Sequence, residues 1–105
     1  MNLEKAKEYL NSYKAMLLKI GRYNSMKKIN PEKGEIYDEK RKECAKTRDR
    51  IEAAIENTDG GILSEILAQK YICGRSLEEI ALIVGYCKRQ TERLHIKALE
   101  KLTIV

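Results

Sequence analysis

A cluster of cationic side chains near the C-terminus is the part of this sequence best suited to chemistry with a polyanion. Between residues 86 and 101 the chain holds five basic and two acidic residues, a net charge of +3. Arg89 and Arg93 lie one helical turn apart, and an arginine can donate two hydrogen bonds to the edge of a guanine base. The cluster therefore indicates a contact with nucleic acid.

The cysteines and the histidine do not have the spacing of a catalytic or metal site. Cys44, Cys73 and Cys87 form no CxxC pair, and His95 is the one histidine of the chain. Structural zinc takes four ligands, usually in closely spaced pairs, and cysteine catalysis needs a histidine in contact with the thiol. We therefore expect no enzyme, no metal and no cofactor. The thiols are interpreted as reduced residues in the core or at its boundary, and His95 as a solvated surface residue.

Size and charge limit the class of protein. The 105 residues suffice for one domain, or for a small domain with a helical extension. Lys and Arg number 21 against 16 Asp and Glu, a net charge of +5. The longest apolar run, residues 80–84, is far too short to span a membrane, and the N-terminus lacks the apolar core of a signal peptide. We predict a cytoplasmic protein with no membrane contact.

The elements that must position the basic cluster are all predicted to be helices. Residues 1–58 are expected to form a long helical hairpin used for dimerisation or contact with a partner. In its first helix, apolar residues recur at alternating spacings of three and four from residue 3 to residue 20. The helix is expected to start to terminate at Gly21, and residues 24–30 are expected to form a loop or a frayed turn.

A second helix is predicted to begin near Pro31 or Glu35 and to reach Asn57. We expect it to be the longer of the two, with part of its apolar stripe left uncovered unless another chain or the C-terminal half packs there. Its charged stretch DEKRKECAKTRDR is interpreted as a solvated face crossed by ion pairs. A face that binds phosphate or a partner is the alternative.

Asp59-Gly60-Gly61 is the clearest break, and three shorter helices are predicted after it, at residues 62–72, 77–84 and 88–102. Ser76 and Glu79 match a capping box, and Gly85 can take the positive φ that ends a helix. A short helix, a tight turn with glycine and a basic second helix form the helix-turn-helix layout, whose second helix enters the DNA major groove. The buried face of that helix is expected to contain Thr91, Leu94, Ala98, Leu99 and Leu102.

The segment ILSEILAQKYICGRSLEEIALIVGYCKRQTERLHIKALEKL resembles the fourth conserved region of sigma-70-family factors, the DNA-reading end of a bacterial sigma. The matching marks are YICG, SLEEIA, the VG turn and KALEKL, and the resemblance covers residues 61–103. Cys87 departs from the family, which usually has Ser or Thr at this cap. The chain holds no candidate for the sigma region that melts promoter DNA. As a whole it is similar to phage-encoded regulators of the ArpU/RinA type, which are associated with transcription control in prophages of Gram-positive bacteria.

The resemblance implies a fold and a set of DNA-binding residues. The fold is all-α, with the N-terminal hairpin followed by a three-helix sigma region 4-like helix-turn-helix domain at residues 61–105. Lys88, Arg89, Glu92 and Arg93 would face the groove, and Lys97 would approach the DNA backbone. The full set of expected DNA-binding residues is Lys88, Arg89, Gln90, Glu92, Arg93, Lys97, Lys101 and Arg75.

For two neighbouring residues of this helix, two roles are compatible with the sequence. Glu92 accepts a hydrogen bond from cytosine or orients an arginine, or else it forms a surface ion pair. Ile96 contacts a thymine methyl or, as we favour, packs on the hairpin or on a second subunit. The six tyrosines are interpreted as residues of helix interfaces.

The sequence therefore predicts a sequence-specific regulator that binds double-stranded DNA, most simply as a homodimer. The N-terminal hairpin would supply either the dimer contact or a contact to RNA polymerase. A small terminase-like subunit that recognises DNA for packaging is one alternative. A sigma-like module that binds RNA polymerase or an anti-sigma partner without reading DNA is another.

Overall fold

The computed structural model describes residues 2–103, and five α-helices make up most of this part of the chain. They are α1 (Leu3–Ile29), α2 (Gly34–Glu56), α3 (Ile62–Leu67), α4 (Leu77–Val84) and α5 (Lys88–Lys101). A short 3-10 turn links α1 to α2, and a π-helical segment, Ala68–Ile72, continues α3. No strand occurs within residues 2–103, so the predicted all-α class is confirmed there. The ends of the two predicted domains, residues 1 and 104–105, lie outside the described part.

The two long helices run antiparallel. Near the start of α1 the Tyr13 hydroxyl donates to Glu52 Oε1 over 2.6 Å, and near its end Lys27 Nζ lies 2.9 Å from Asp38 Oδ2. Later positions of α1 therefore meet earlier positions of α2. Spacings of three and four keep the apolar stripe of each helix turned towards its neighbour.

The first helix does not end near Gly21, and the prediction of a loop at residues 24–30 is wrong. A glycine inside a helix costs only about 1 kcal/mol relative to alanine, which contacts further along can offset. Here the ring of Tyr23 stacks on that of Tyr37, with 6.4 Å between the ring centroids. The prediction that the second helix is the longer one is also wrong, since α1 has 27 residues and α2 has 23.

One buried apolar cluster joins the long helices to the C-terminal half. It is composed of Ala6, Leu10, Tyr13, Ile51, Ala54, Ile55, Leu63, Leu67, Tyr71, Ala98, Leu99 and Leu102. The shorter helices therefore pack on one end of the α1–α2 pair. The rest of that pair, residues 14–50, projects as an arm in which only Gly34 and Tyr37 are buried. The molecule is accordingly elongated, with extents of 53 × 26 × 22 Å.

The predicted helix break at residues 59–61 separates α2 from α3, and the side chain of Asp59 organises its backbone. Its carboxylate accepts hydrogen bonds from the backbone N–H groups of Gly61, Leu63 and Ser64 over 2.7–3.1 Å. These bonds favour the charged carboxylate and lower the pKa of Asp59 to about 2. They also satisfy the first amide groups of α3, which fixes where this helix begins.

None of the helices in the described range is long and apolar enough to cross a membrane.

Candidate nucleic-acid interface

The start and end of α4 are set by local sequence signals, as predicted. Ser76 Oγ accepts from the Glu79 backbone N–H, and Glu79 Oε1 accepts from the Ser76 backbone N–H, each over 3.2 Å. This reciprocal pair is the predicted capping box, and its hydrogen bonds lower the pKa of Glu79. Gly85 has φ +81° and ends the helix, so that α5 begins three residues later.

The start of α5 has the backbone of a cap without its side-chain hydrogen bond. Cys87 has φ −72° and ψ 162°, nearly the values of Ser76 at −75° and 160°, yet its thiol caps nothing. Cys87 and Cys73 are exposed, and Cys44 is half-buried. The interpretation of the thiols as core or boundary residues is therefore wrong for two of the three. Both lie in connections between helices, away from the faces that pack.

Helix α5 has one face in the core and the opposite face in solvent. Its buried residues, together with the following Leu102, are Thr91, His95, Ala98 and Leu99. At 3.6 residues per turn, Arg93 lies roughly opposite the centre of this buried face, with Arg89 and Lys97 within about 45° of it. All three are exposed. Leu94, predicted to be buried, is only half-buried because it lies at the edge of the core.

The remaining predicted DNA-binding residues surround this outer face. Gln90 and Lys101 are exposed in the first and last turns of α5, and Arg75 is exposed just before α4. Lys88 Nζ lies 2.9 Å from Glu78 Oε1, a contact that raises the pKa of Lys88. Both side chains are well exposed, so the pair contributes little to stability, but it partly neutralises Lys88.

A groove of about 570 Å³ runs beside α5. It is lined by Lys7, Asn11, Lys70, Tyr71, Leu77, Glu92, His95 and Ile96. Glu92 and Ile96 therefore face a space shared with α1 and lie to one side of the arginine face. Sequence reasoning did not include Lys7 or Lys70 among the functional candidates, because only the tertiary fold brings them beside α5.

His95 is not the solvated residue expected from the sequence. It is 6% exposed, and its Nε2 lies 2.8 Å from the hydroxyl of Tyr71. Burial, together with the charges of Lys70 and Lys7, lowers the pKa of His95 to about 4, and burial raises the pKa of Tyr71 to about 12. The signal was present in the spacing, since His95 lies four residues from both Thr91 and Leu99.

The tyrosines largely lie between helices, as interpreted, with one exception. Tyr13, Tyr37 and Tyr71 are buried, and Tyr9 and Tyr23 are half-buried. Tyr86, in the turn before α5, is exposed, and its interpretation as a residue of a helix interface is wrong for this chain taken alone.

No protein-family model matches this chain. Comparisons with curated proteins and with solved structures likewise give no significant match. Within residues 2–103, no group of three or more His, Cys, Asp and Glu side chains is placed to hold a metal ion.

Proposed function

We propose that this chain is a sequence-specific transcription regulator of phage or prophage type, which reads the major groove of double-stranded DNA with α5. In this proposal α1 and α2 are the helical hairpin, and α3 to α5 are the sigma region 4-like helix-turn-helix domain. One observation carries it. Arg89, Arg93 and Lys97 are exposed together on the outer face of a helix that follows a tight turn and whose other face is held by the core.

In this proposal the two halves of α5 make different contacts with DNA, the first with bases and the second with phosphates. Arg89 and Arg93 lie towards the N-terminal end, the part of a recognition helix that meets base edges, and each can bind a guanine through two hydrogen bonds. Lys97 and Lys101 would contact phosphates and add salt-dependent affinity. Glu100 is also exposed near the C-terminal end and would be repelled by the backbone, so base reading belongs to the first two turns.

A homodimer completes the proposal. A single short helix in one groove gives weak binding, whereas two copies can bind half-sites about one helical turn, roughly 34 Å, apart. The arm, residues 14–50, has the length and exposure needed to hold a second subunit or to contact RNA polymerase.

A protein-binding role is the second candidate, and one observation favours it. Leu82, Ile83 and Tyr86 are 86%, 49% and 45% exposed, and they lie within five residues of one another at the end of α4. Large apolar side chains gathered in this way are typical of a surface that meets another protein. On this candidate the domain would bind RNA polymerase or an anti-sigma partner without reading DNA.

The test is selection of DNA sequences from a random pool by the wild-type protein and by the variants R89A and R93A. We expect the wild type to enrich one motif. Each variant should lose about 1–3 kcal/mol of binding to it and should relax preference at one base position. The matched control is K40A, which removes one exposed positive charge from α2. It should leave the motif unchanged.

Three outcomes would contradict the proposal. If R89A and R93A enrich the same motif as the wild type with equal strength, α5 does not read the groove. Binding to polymerase without enrichment of any duplex would support the protein-binding candidate. A ring of many copies that occupies only a phage packaging site, measured by light scattering and genome-wide occupancy, would indicate a terminase-like subunit.

A further inference from the structure

The positive charge of this protein is concentrated on the arm. Residues 14–50 hold twelve basic and six acidic side chains, a net charge of +6, whereas the rest of the chain holds nine basic and ten acidic ones, a net charge of −1. Within α1 the asymmetry is stronger still. Residues 9–29 contain five basic side chains and no acidic one. This half of the arm therefore presents a positive surface to any anionic partner.

Three of these cations, together with Lys7 just before the arm, form a row along one side of α1. Lys7, Lys14 and Lys28 share one heptad position with Gly21, and Arg22 is next to it. We call Lys7, Lys14, Arg22 and Lys28 the basic row. At 1.5 Å per residue it is about 32 Å long, close to one turn of B-form DNA, which is roughly 34 Å. Gly21, at its middle, has open space where a side chain would be, so a partner can approach the helix closely.

The charges of the row are available to a ligand. None of the ion pairs formed within residues 2–103 involves a member of the row. Lys14, Arg22 and Lys28 are exposed, and Lys7 is half-buried. The guanidinium of Arg22 lies 5.1 Å from the ring centroid of Tyr23, a contact that leaves its charge in place.

The row begins beside the proposed recognition helix. Lys7 lines the same groove as Glu92 and Ile96 of α5, and its charge contributes to the lowered pKa of His95. From there the row leads away along the arm. The cations nearest to α5 and those along the arm therefore belong to one continuous row on α1.

We propose that the basic row is a second DNA-backbone contact, which holds the duplex that flanks the segment read by α5. This inference rests on the proposed function. It adds a sequence-independent contact, made through phosphates, to the base reading of Arg89 and Arg93. Its physical basis is the release of counterions from DNA, which makes each phosphate contact visible in the salt dependence of binding.

Two other occupants fit the row less well. A second copy of α1 would place like charges opposite one another, which opposes association. An anionic membrane needs a continuous apolar band beside the cations. On this side of α1 the exposed large apolar side chains are Leu17, Leu18 and Ile29, which are 42%, 67% and 78% exposed. Leu18 and Ile29 are eleven residues apart, about 17 Å along the helix, so the band is not continuous.

The experiment compares two triple variants that each remove three exposed positive charges. K14Q/R22Q/K28Q neutralises the row, and K40Q/K42Q/K46Q neutralises α2 as the matched control. Binding is measured by fluorescence anisotropy against salt concentration. The probes are two duplexes that carry the motif selected by the wild type, one of about 15 base pairs and one of about 40. Circular dichroism checks that each variant remains helical.

On the long duplex we expect the row variant to bind at least tenfold more weakly than wild type at about 0.1 M salt, and the slope of log K against log salt to fall by about 3. On the short duplex it should bind almost as wild type does. The control variant should change the slope by less than about 1 on either probe. The variant K14R/R22K/K28R keeps the charges and should restore the wild-type slope.

Equal slopes for the row and control variants on the long duplex would overturn the inference. So would row-dependent binding to vesicles of mixed phosphatidylserine and phosphatidylcholine together with an unchanged slope on DNA, which would assign the row to membranes. Failure of the proposed function gives a different result. If no motif is selected, a random duplex of about 40 base pairs is used as the probe. A smaller slope of log K against log salt for the row variant, with no such change for the control variant, then supports a DNA contact without base reading. Absence of all duplex binding overturns both.

Discussion

Lowering the pH should destabilise this protein through His95, a titration that can be followed at a single residue. The imidazole is buried against Tyr71, and Lys70 and Lys7 lie close enough to disfavour its positive charge. Its pKa is lowered to about 4, against 6.5 for a free histidine. Between about pH 6.5 and pH 4, His95 therefore binds a proton in the unfolded chain but not in the folded chain. The free energy of unfolding falls as the pH falls through this range.

The size of the effect follows from this difference in pKa. One unit corresponds to about 1.4 kcal/mol, and integration between pH 7 and pH 5 gives a loss of about 2 kcal/mol in the free energy of unfolding. The carboxylates with lowered pKa, Asp59 and Glu79 among them, lose their contribution only at lower pH. His95 therefore dominates between pH 7 and pH 5.

Two measurements check the magnitude. Urea unfolding at pH 7, 6 and 5 should show the midpoint moving down by roughly 1 M across the range for wild type. The variant H95Q keeps a neutral polar side chain and should show a flat profile. Since His95 is the one histidine in the sequence, its ring protons can be followed by NMR without ambiguity, and their chemical shift should not titrate until well below pH 6.

A midpoint near 6.5 in the NMR titration would refute the burial of the imidazole. An equal loss of stability in H95Q would assign the pH dependence to other groups. The variant Y71F separates the two causes, because it removes the hydrogen bond while the ring remains. If burial and the two lysines are the dominant causes, the pKa of His95 in Y71F stays below 6.5.

Three further changes test the local geometry. C87S should stabilise the fold by about 0.5–1 kcal/mol, because the backbone is already in cap geometry and Gln90 is placed to complete a capping box; no gain in melting temperature would contradict this. G85A should destabilise by about 1 kcal/mol because of φ +81°, whereas G21A, in a helix with open space around it, should stabilise by up to about 1 kcal/mol. Chemical unfolding of both variants measures this contrast, and shifts of the same sign would refute it. L99A should cost about 2–5 kcal/mol and L94A clearly less, since only the first is fully buried; equal midpoints in urea would show that the packing of α5 is misjudged.

The sequence by itself determined the parts of the structure that depend on neighbours within about one helical turn. The boundaries of α4 were predicted correctly, because Ser76 with Glu79 starts that helix and Gly85 ends it. The start of α5 and the break at Asp59 were predicted for the same reason. The outward position of Arg89 and Arg93 also follows from spacing, since the apolar residues of one short helix define its buried face.

The tertiary structure decided what depends on residues far apart in the sequence. Gly21 lies inside α1 because Tyr23 meets Tyr37 across the arm, a contact that no local propensity contains. The spacing of His95 from Thr91 and Leu99 already places it on the buried face of α5, but its hydrogen-bond partner, Tyr71, comes from twenty-four residues earlier. The basic row, too, gains its position beside α5 only when Lys7 reaches the groove. Helix propensity and capping act between neighbours, whereas burial and shifted pKa values arise from the packing of distant segments, and only the folded chain brings those together.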